Sequence, residues 1–146
     1  MATPRVSIVI NELNRFVEQT MAALALQILA NLVAAPSRGG TPVDTGWARA
    51  NWVPNIGTPI TNTAGLQPSS KGGSGGGSRR RGTSAEQTTG AAKLVTYKLG
   101  SGPIYITNNV PYIQKLNAGW SKQAAAGFIQ AAVARGAKAI AARRRG

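Results

Sequence analysis

Residues 11–35 read NELNRFVEQTMAALALQILANLVAA, and this stretch decides the fold because it is long, largely apolar and free of glycine and proline. Pro36 follows it directly, and Gly39 and Gly40 come soon after. Such residues end helices. We therefore predict one helix over about residues 11–35, with a length of about 37 Å at 1.5 Å per residue.

The two halves of this predicted helix differ in the arrangement of their apolar residues. In the first half the apolar residues share one side of the helix. They are Leu13, Phe16, Val17, Met21 and Leu24. In the second half apolar residues cover nearly the whole circumference, apart from a strip of Thr20, Gln27 and Asn31.

A domain of this size has a core that can bury one face of a helix. The second half of the helix has apolar residues on more than one face, so a further apolar face needs another partner. One interpretation is that a neighbouring subunit covers this face, and the alternative is that the C-terminal helix of the same chain covers it. Two tryptophans beside glycines are further candidates for interface anchors. The predicted interface residues are Leu26, Leu29, Val33, Trp47 and Trp120.

Short elements are predicted around the long helix. The β-branched residues Val6–Ile10 favour a short strand or an ordered arm. Residues 47–53 predict an extended segment or a short helix in which Trp52 and Val53 are buried. Pro103–Thr107 has the strongest strand pattern in the chain.

Further helices are predicted over about residues 85–99, 110–118 and 124–144. The last has an apolar stripe formed by Ile129, Val133, Gly136 and Ile140, with Arg135 and Lys138 facing away. We therefore expect an α+β fold in which a long N-terminal helix and a C-terminal helix pack on a small β-sheet.

Residues 57–90 have a composition unlike the rest of the chain. They are rich in glycine, serine and arginine, and residues 69–78 read SSKGGSGGGS. Such a tract has too few apolar side chains to form a core. We predict a flexible low-complexity insertion at 57–90 within a single domain spanning residues 1–146.

The composition excludes most catalytic chemistry. The chain has 17 Lys+Arg against 4 Asp+Glu, a formal net charge of +13, and no His or Cys. It therefore cannot build a Ser-His-Asp triad, a Cys-His nucleophile or a zinc site of Cys and His. The carboxylates of Glu12, Glu18, Asp44 and Glu86 lack the spacing of a metal loop or a catalytic pair. We expect no enzymatic activity, no cofactor and no metal site.

Asp44-Thr45-Gly46 is the triplet found in aspartic proteases, but its neighbours do not suit that chemistry. Pro42 is a poor strand residue, and Trp47 would crowd two carboxylates that share a proton. A structural turn, in which Asp44 accepts backbone N–H bonds, is the favoured interpretation. The predicted structural turn residues are Asp44, Thr45, Gly46, Asn108, Asn109, Pro111 and Tyr112.

Two arginine tracts are candidates for contact with DNA or with an acidic partner. Such tracts bind phosphate backbones without reading sequence, or they contact acidic protein surfaces. The candidates are Arg79, Arg80, Arg81, Arg143, Arg144 and Arg145.

The N-terminal region is not typical of a signal peptide, because Arg5, Glu12, Arg15 and Glu18 interrupt it. The most apolar run, residues 21–35, is shorter than the ~20 residues that span a bilayer. We expect no membrane partner.

Several segments, taken in order, resemble a known family. TPVDTG at 41–46 is followed by ARANW at 48–52, and much later come YITNNVPY at 105–112, LNAGWS at 116–121 and QAAAG at 123–127. This order and spacing resemble the neck and tail-completion proteins of long-tailed bacteriophages, the head–tail connector type. The resemblance extends over most of the chain outside the predicted insertion.

Two positions depart from that family's pattern. Asn117 stands where members often carry an acidic residue, and Ala125 stands where many have proline. Both bear on local contacts and leave the expected fold unchanged.

The resemblance implies a non-enzymatic structural protein of the virion neck. It would form a homo-oligomeric ring, with six subunits expected over twelve, that joins head to tail and lets genomic DNA pass. Its partners would be other neck, portal-side or tail-tube proteins, and assembly would take place in the host cytoplasm. Two alternatives remain open: a tail terminator that caps the tail tube, and a small basic nucleic-acid-binding protein.

Overall fold

The structure is a computed structural model that describes residues 4–43, 46–64, 84–143 and 145. Its dominant element is helix α1 (Pro4–Val33), which is 30 residues long. Proline suits the first position of a helix because the N–H that it lacks would have no partner there. The predicted start at residue 11 is therefore wrong, and Val6–Ile10, for which we predicted a short strand or an ordered arm, is helical. Each residue added to an existing helix gains a hydrogen bond, which outweighs the small propensity penalty of β-branched side chains.

The other elements are short and follow the predicted order. After α1 come a 3₁₀ turn (Pro36–Arg38), α2 (Trp47–Ala50), β1 (Val53–Ile56), α3 (Ala85–Val95), β2 (Ile104–Thr107), α4 (Ile113–Asn117) and α5 (Phe128–Arg143). The predicted strand at 103–107 and the helical turns within 110–118 are confirmed. The last helix begins at Phe128, later than predicted.

The two strands pair antiparallel, with Val53 opposite Thr107 and Ile56 opposite Ile104. Helix α3 packs on β1, whereas α1 packs chiefly on α5. The described residues thus form a mixed fold of helices and one small two-stranded sheet, as predicted at that level. The expected layering is corrected, because the N- and C-terminal helices cover each other and α3 covers the sheet.

The core lies where the C-terminal end of α1 meets α2, α4 and α5. It contains Leu29, Leu32, Ala48, Trp52, Val110, Ile113, Phe128 and Ala132. Trp52 and Val53 are both 4% exposed, which confirms their predicted burial. Trp52 Nε1 donates to Thr41 Oγ1 at 2.8 Å, and that hydroxyl donates to the Leu32 carbonyl at 2.7 Å. The indole thereby fixes the chain just beyond α1.

The face of α5 that packs on α1 is shifted by one residue from the predicted stripe in the first half of the helix, and it agrees with the prediction at Gly136 and Ile140. The buried residues are Phe128, Ala132, Gly136 and Ile140, whereas Val133 is 44% exposed. A Cβ added at Gly136 would lie 2.7 Å from Ile28 Cγ1. Small residues are buried here because the two helices approach closely, which a row of large side chains would prevent. Arg135 and Lys138 are exposed, as predicted.

Both described ends of the predicted insertion belong to the fold. Ser84 Oγ accepts from Gln87 N–H at 3.1 Å, a helix N-cap that the pattern Ser-x-x-Gln indicates. α3 begins at Ala85, where a helix was predicted, so residues 85–90 belong to a helix that packs on β1. At the other end, Ala64 is 2% exposed. The remainder of the predicted insertion, including Arg79, Arg80 and Arg81, lies outside the described residues.

Within the described part of the chain, one helix segment, Arg5–Val33, is long and apolar enough to cross a membrane by length and composition. This differs from the expectation drawn from residues 21–35 alone, because the helix is longer than predicted. Core helices of globular proteins and signal sequences share these properties. The segment lies near the N-terminus, and 22% of its most apolar stretch is buried.

Gly90 is the position where α3 meets β1, and we predict that Gly90→Ala destabilises the fold. The added Cβ would overlap the carbonyl oxygen of Pro54 and lie 2.8 Å from its Cδ. Alanine gains about 1 kcal/mol of helix propensity, but overpacking against backbone costs about 1–3 kcal/mol or more. We expect a net loss of about 1–2 kcal/mol in chemical denaturation. Thr89→Ala, on the exposed side of the same turn, is the control and should be neutral or stabilising. A Gly90→Ala chain as stable as the natural one would contradict the close packing.

Candidate assembly surface

The N-terminal part of α1 extends beyond the body of the domain. Every side chain from Arg5 to Phe16 is exposed. We call residues 5–16 the arm, and at 1.5 Å per residue they span about 18 Å. The arm is continuous with the part of α1 that enters the core, so the body of the domain anchors its base.

Glu18 makes a well-defined polar contact between α1 and the body. Its Oε1 accepts from the Leu99 backbone N–H at 2.9 Å, and its Oε2 lies 3.5 Å from Lys98 Nζ. This carboxylate joins α1 to the loop after α3. Arg15 lines a depression together with Val95, Tyr97 and Lys98, and the side chains from Arg5 to Phe16 are exposed.

One side of the arm is apolar. Five apolar side chains project from this side, and each is 47–61% exposed. Their spacing of three or four residues between successive turns places them on one face of the helix. We call them the arm stripe, and they are Val6, Val9, Ile10, Leu13 and Phe16. Ser7, Asn11 and Asn14 occupy other sides. Contiguous exposed apolar patches are found at protein–protein and membrane interaction sites and in aggregation-prone chains.

A second apolar surface lies at the opposite end of α1, and we call it the groove. Its lining includes Val43, Trp47, Tyr112 and Leu116. The Trp47 and Tyr112 rings have centroids 5.9 Å apart with planes inclined by 57°, a favourable aromatic pairing. Gln123 closes one side, because its amide accepts from Val43 N–H at 2.9 Å and donates to Val43 C=O at 3.0 Å.

Trp120 stands at the edge of the groove, next in sequence to the lining residue Ser121. It is 72% exposed, more than any other large apolar residue described. Lys115 Nζ lies 4.8 Å from the centre of its ring, a cation–π contact that holds the indole against the surface. A tryptophan held in this way is typical of an interface anchor.

The predicted turn residues build the frame of the groove. Asn108 Nδ2 donates to the Ala48 carbonyl of α2 at 2.7 Å, and Asn108 Oδ1 accepts from Val110 N–H at 3.2 Å. Asn109 Nδ2 donates to the carbonyls of Ile60 at 2.8 Å and Asn62 at 3.1 Å.

Gly46 caps α2 with φ of 83°, a conformation that favours glycine. Pro111 is exposed beside Tyr112. Asp44 and Thr45 lie outside the described residues.

Two buried amides hold α2 in place beneath the groove. Asn51, 2% exposed, donates from Nδ2 to the carbonyls of Trp47 at 2.9 Å and Ala64 at 3.1 Å, and its Oδ1 accepts from Ala64 N–H. Gln87, 3% exposed, donates to the carbonyls of Arg49 at 3.1 Å and Trp52 at 2.9 Å. The segments that carry the family resemblance thus contact one another in the fold. Their polar side chains hold the backbone of α2 and of the neighbouring loops in position.

The predicted interface residues divide between core and surface. Leu29 is 6% exposed and lies in the core, and Leu26 and Val33 are half-buried. Trp47 is half-buried in the groove wall, and Trp120 is exposed. Of the two interpretations of the apolar face on the second half of α1, the second is confirmed: α5 of the same chain covers it. The exposed apolar surface of α1 is on the first half.

The described cations include an exposed basic group on α5. Arg135 Nη2 donates to the Gly39 carbonyl at 3.2 Å, and Arg143 Nη2 donates to Gln27 Oε1 at 3.1 Å. Lys138 and Arg145 are also exposed. Arg144 lies outside the described residues. Arg135, Lys138 and Arg143 lie on α5 and Arg145 lies just beyond it, so positive charge is spread along this helix and its end.

The described residues contain no group of three or more His, Cys, Asp or Glu side chains that could hold a metal ion.

No family model matches the chain, and searches of curated proteins and of solved structures also find no match.

Proposed function

We propose that this chain is a structural protein of the virion neck in a long-tailed bacteriophage. In this proposal it forms an oligomeric ring at the head–tail junction, joins head to tail and lets genomic DNA pass through the central hole. It acts by binding other proteins, not by catalysis. Portal-side, neck or tail-tube proteins of the same particle are its partners.

The observation that carries this proposal is the exposed arm stripe. Fully burying a side chain of this type stabilises by about 1.5–3 kcal/mol, so covering five half-exposed ones provides about 5 kcal/mol before the cost of association. In a monomer the arm stripe is exposed to water, whereas association with another protein would bury it.

The family resemblance adds the kind of assembly. The quoted segments resemble those of the neck and tail-completion proteins in order and spacing, and these segments lie together around α2 and the groove. A ring arises when one surface of each copy binds a different surface of the next and the rotation closes. The arm and the groove are two different apolar surfaces on one chain.

The charge supports passage of DNA through the ring. A formal charge of +13 favours contact with phosphate without sequence preference. Arg135, Lys138 and Arg143 place part of this charge on one helix. The same charge is the one feature that favours the alternative of a small basic nucleic-acid-binding protein.

Electron microscopy of the purified chain tests the proposal against both alternatives. We expect annular particles whose hole admits duplex DNA, and, in infected cells, a tagged copy located at the head–tail junction. A tagged copy at the end of headless tail tubes would favour the tail terminator. A monomer that binds DNA with steep salt dependence would favour the nucleic-acid-binding protein and overturn the proposal.

A further inference from the structure

We infer that α5 and the turn after α1 form the surface that binds the phosphate backbone of duplex DNA, and that this surface faces the hole of the ring. This inference rests on the proposed function and specifies which part of the chain meets the DNA. The surface carries five cationic side chains, all of them exposed. We call them the basic strip, and they are Arg38, Arg135, Lys138, Arg143 and Arg145.

The basic strip is continuous from the turn after α1 to the end of α5. Arg38 precedes Gly39, and the Gly39 carbonyl accepts from Arg135 Nη2 at 3.2 Å. Lys138 follows Arg135 by three residues, so the two side chains are neighbours on the surface of α5. From Arg135 to Arg145 the chain advances ten residues, which corresponds to about 15 Å along a helix axis. The strip is therefore a row of positive charges along one helix.

No carboxylate of the described chain neutralises this row. Residues 19–43 and 87–146 contain no Asp or Glu. The first range includes the half of α1 on which α5 packs, and the second includes α5 itself. The described carboxylates lie on the first half of α1 and in the first turn of α3. Among the described residues, no cation of the basic strip forms an ion pair, so the surface keeps its full charge.

Two of the guanidinium groups are held in position by uncharged acceptors. Arg135 Nη2 donates to the Gly39 carbonyl, and Arg143 Nη2 donates to Gln27 Oε1 at 3.1 Å. Gln27 is fixed in turn, because its Nε2 donates to Asn31 Oδ1 at 3.2 Å. Each guanidinium keeps its charge and has further N–H donors for an anion. A side chain that is already ordered loses less entropy on binding, so this arrangement favours contact with an anionic partner.

The helix dipole accounts for only part of the basic strip. It favours cations in the last turn of a helix, which is where Arg143 and Arg145 lie. Arg135 and Lys138 lie in the middle of α5, where the dipole has little effect. Arg38 belongs to a different element. An anionic partner that runs along α5 accounts for all five cations together.

The charge density favours duplex DNA over an acidic protein as this partner. Duplex DNA carries one negative charge per ~1.7 Å of its axis, so a strip about 15 Å long faces about nine phosphate charges. Neutralising phosphates also releases condensed counterions, a gain that scattered carboxylates on a protein surface do not provide. Four of the five strip residues are arginines, whose planar guanidinium binds phosphate with two parallel hydrogen bonds. Such contacts do not read sequence, as passage of a whole genome requires.

The salt dependence of DNA binding tests the basic strip. The strip variant combines Arg135→Gln, Lys138→Gln and Arg143→Gln, and the probe is a fluorescein-labelled duplex of about 30 base pairs followed by anisotropy. Each lost phosphate contact reduces the slope of log K against log salt by about 0.9, so we expect a slope less steep by about 2–3. At about 100 mM salt the affinity should fall at least tenfold. Circular dichroism should show an unchanged fold, because all three side chains are exposed.

The matched control removes three charges from other surfaces through Lys93→Gln, Lys98→Gln and Lys122→Gln. These lysines are also exposed, so the net charge and the solvent contact change in the same way. We expect the slope to change by less than about 1. An equal loss in both triple variants would show that net charge alone drives binding and would overturn the inference. Poly-L-glutamate that binds the natural chain as tightly as the duplex does would assign the strip to an acidic protein and would also overturn it.

A comparison of linear and closed circular DNA tests whether the basic strip faces the hole. A preformed ring can pass over the end of a linear duplex, whereas a closed circle has no end. At about 150 mM salt, where scattered charges bind weakly, we expect annular particles to bind a linearised plasmid and to lose binding to its closed circular form. Equal binding of both forms would place the strip outside the hole, overturning the inference and leaving the proposed function intact. A monomeric chain that loses DNA binding in the strip variant would overturn the proposed function and keep the strip as the DNA-binding surface.

Discussion

Replacing Val9 and Leu13 together by Asp is expected to convert the assembled protein into a folded monomer. Both side chains lie in the arm stripe, and they are 61% and 58% exposed in the single chain. Each loses about 1 kcal/mol of burial in the interface, and a carboxylate buried there without a partner costs further free energy, so association should weaken by about 100-fold or more. Sedimentation velocity measures the assembly, and circular dichroism measures the fold. The helical signal and the thermal midpoint of the domain should change little, because neither side chain packs in the core.

The matched control for this double variant is Asn11→Asp, which adds a carboxylate on the opposite side of the same arm. It should assemble as the natural chain does. Loss of assembly in Asn11→Asp would mean that charge anywhere on the arm is harmful, and unchanged assembly in the double variant would exclude the arm stripe from the interface.

Leu29→Asp is expected to have the opposite outcome and to unfold the chain. Leu29 is 6% exposed and packs with Leu32, Ala132 and Phe128 in the core. Truncating a buried leucine costs about 2–5 kcal/mol, and a buried unpaired carboxylate adds several more. The sum is comparable with the 5–15 kcal/mol of stability that domains have in total. A thermal melt followed by circular dichroism should show no cooperative transition.

Leu29→Met conserves volume and should remain folded, which separates the effect of the charge from that of the position. A Leu29→Asp chain that folds as a stable monomer would place this residue on an interface, as the sequence pattern alone suggested, and would contradict the packing of α5 over α1.

Much of the fold follows from local pattern. The strand at Ile104–Thr107 is a run of β-branched and aromatic residues, and the burial of Trp52 follows from its size. The start of α1 could not be predicted from local pattern, because Val6–Ile10 has a composition typical of a strand. These residues are helical because they continue a long helix that is already formed. Pro4 was the signal that could have located the true start.

The sequence predicts that α1 has an exposed apolar face, but it does not predict where on the helix this face lies. An excess of apolar surface on α1 is visible in the sequence, but which half is covered depends on where α5 docks. That choice is made by the close approach at Gly136 to Ile28, a contact between residues more than a hundred positions apart. The groove likewise depends on Asn108 reaching Ala48 across the fold. The periodicity of apolar residues shows which face of a single helix is apolar. It does not show which distant segment of the chain packs on that face.

The mass of the natural chain in solution tests the central claim most directly. Multi-angle light scattering at micromolar concentration should give an integer multiple of the 15.1 kDa chain that is larger than a dimer, as a closed ring requires. A mass of 15.1 kDa over the whole concentration range would contradict the account, because the arm stripe would then remain in water.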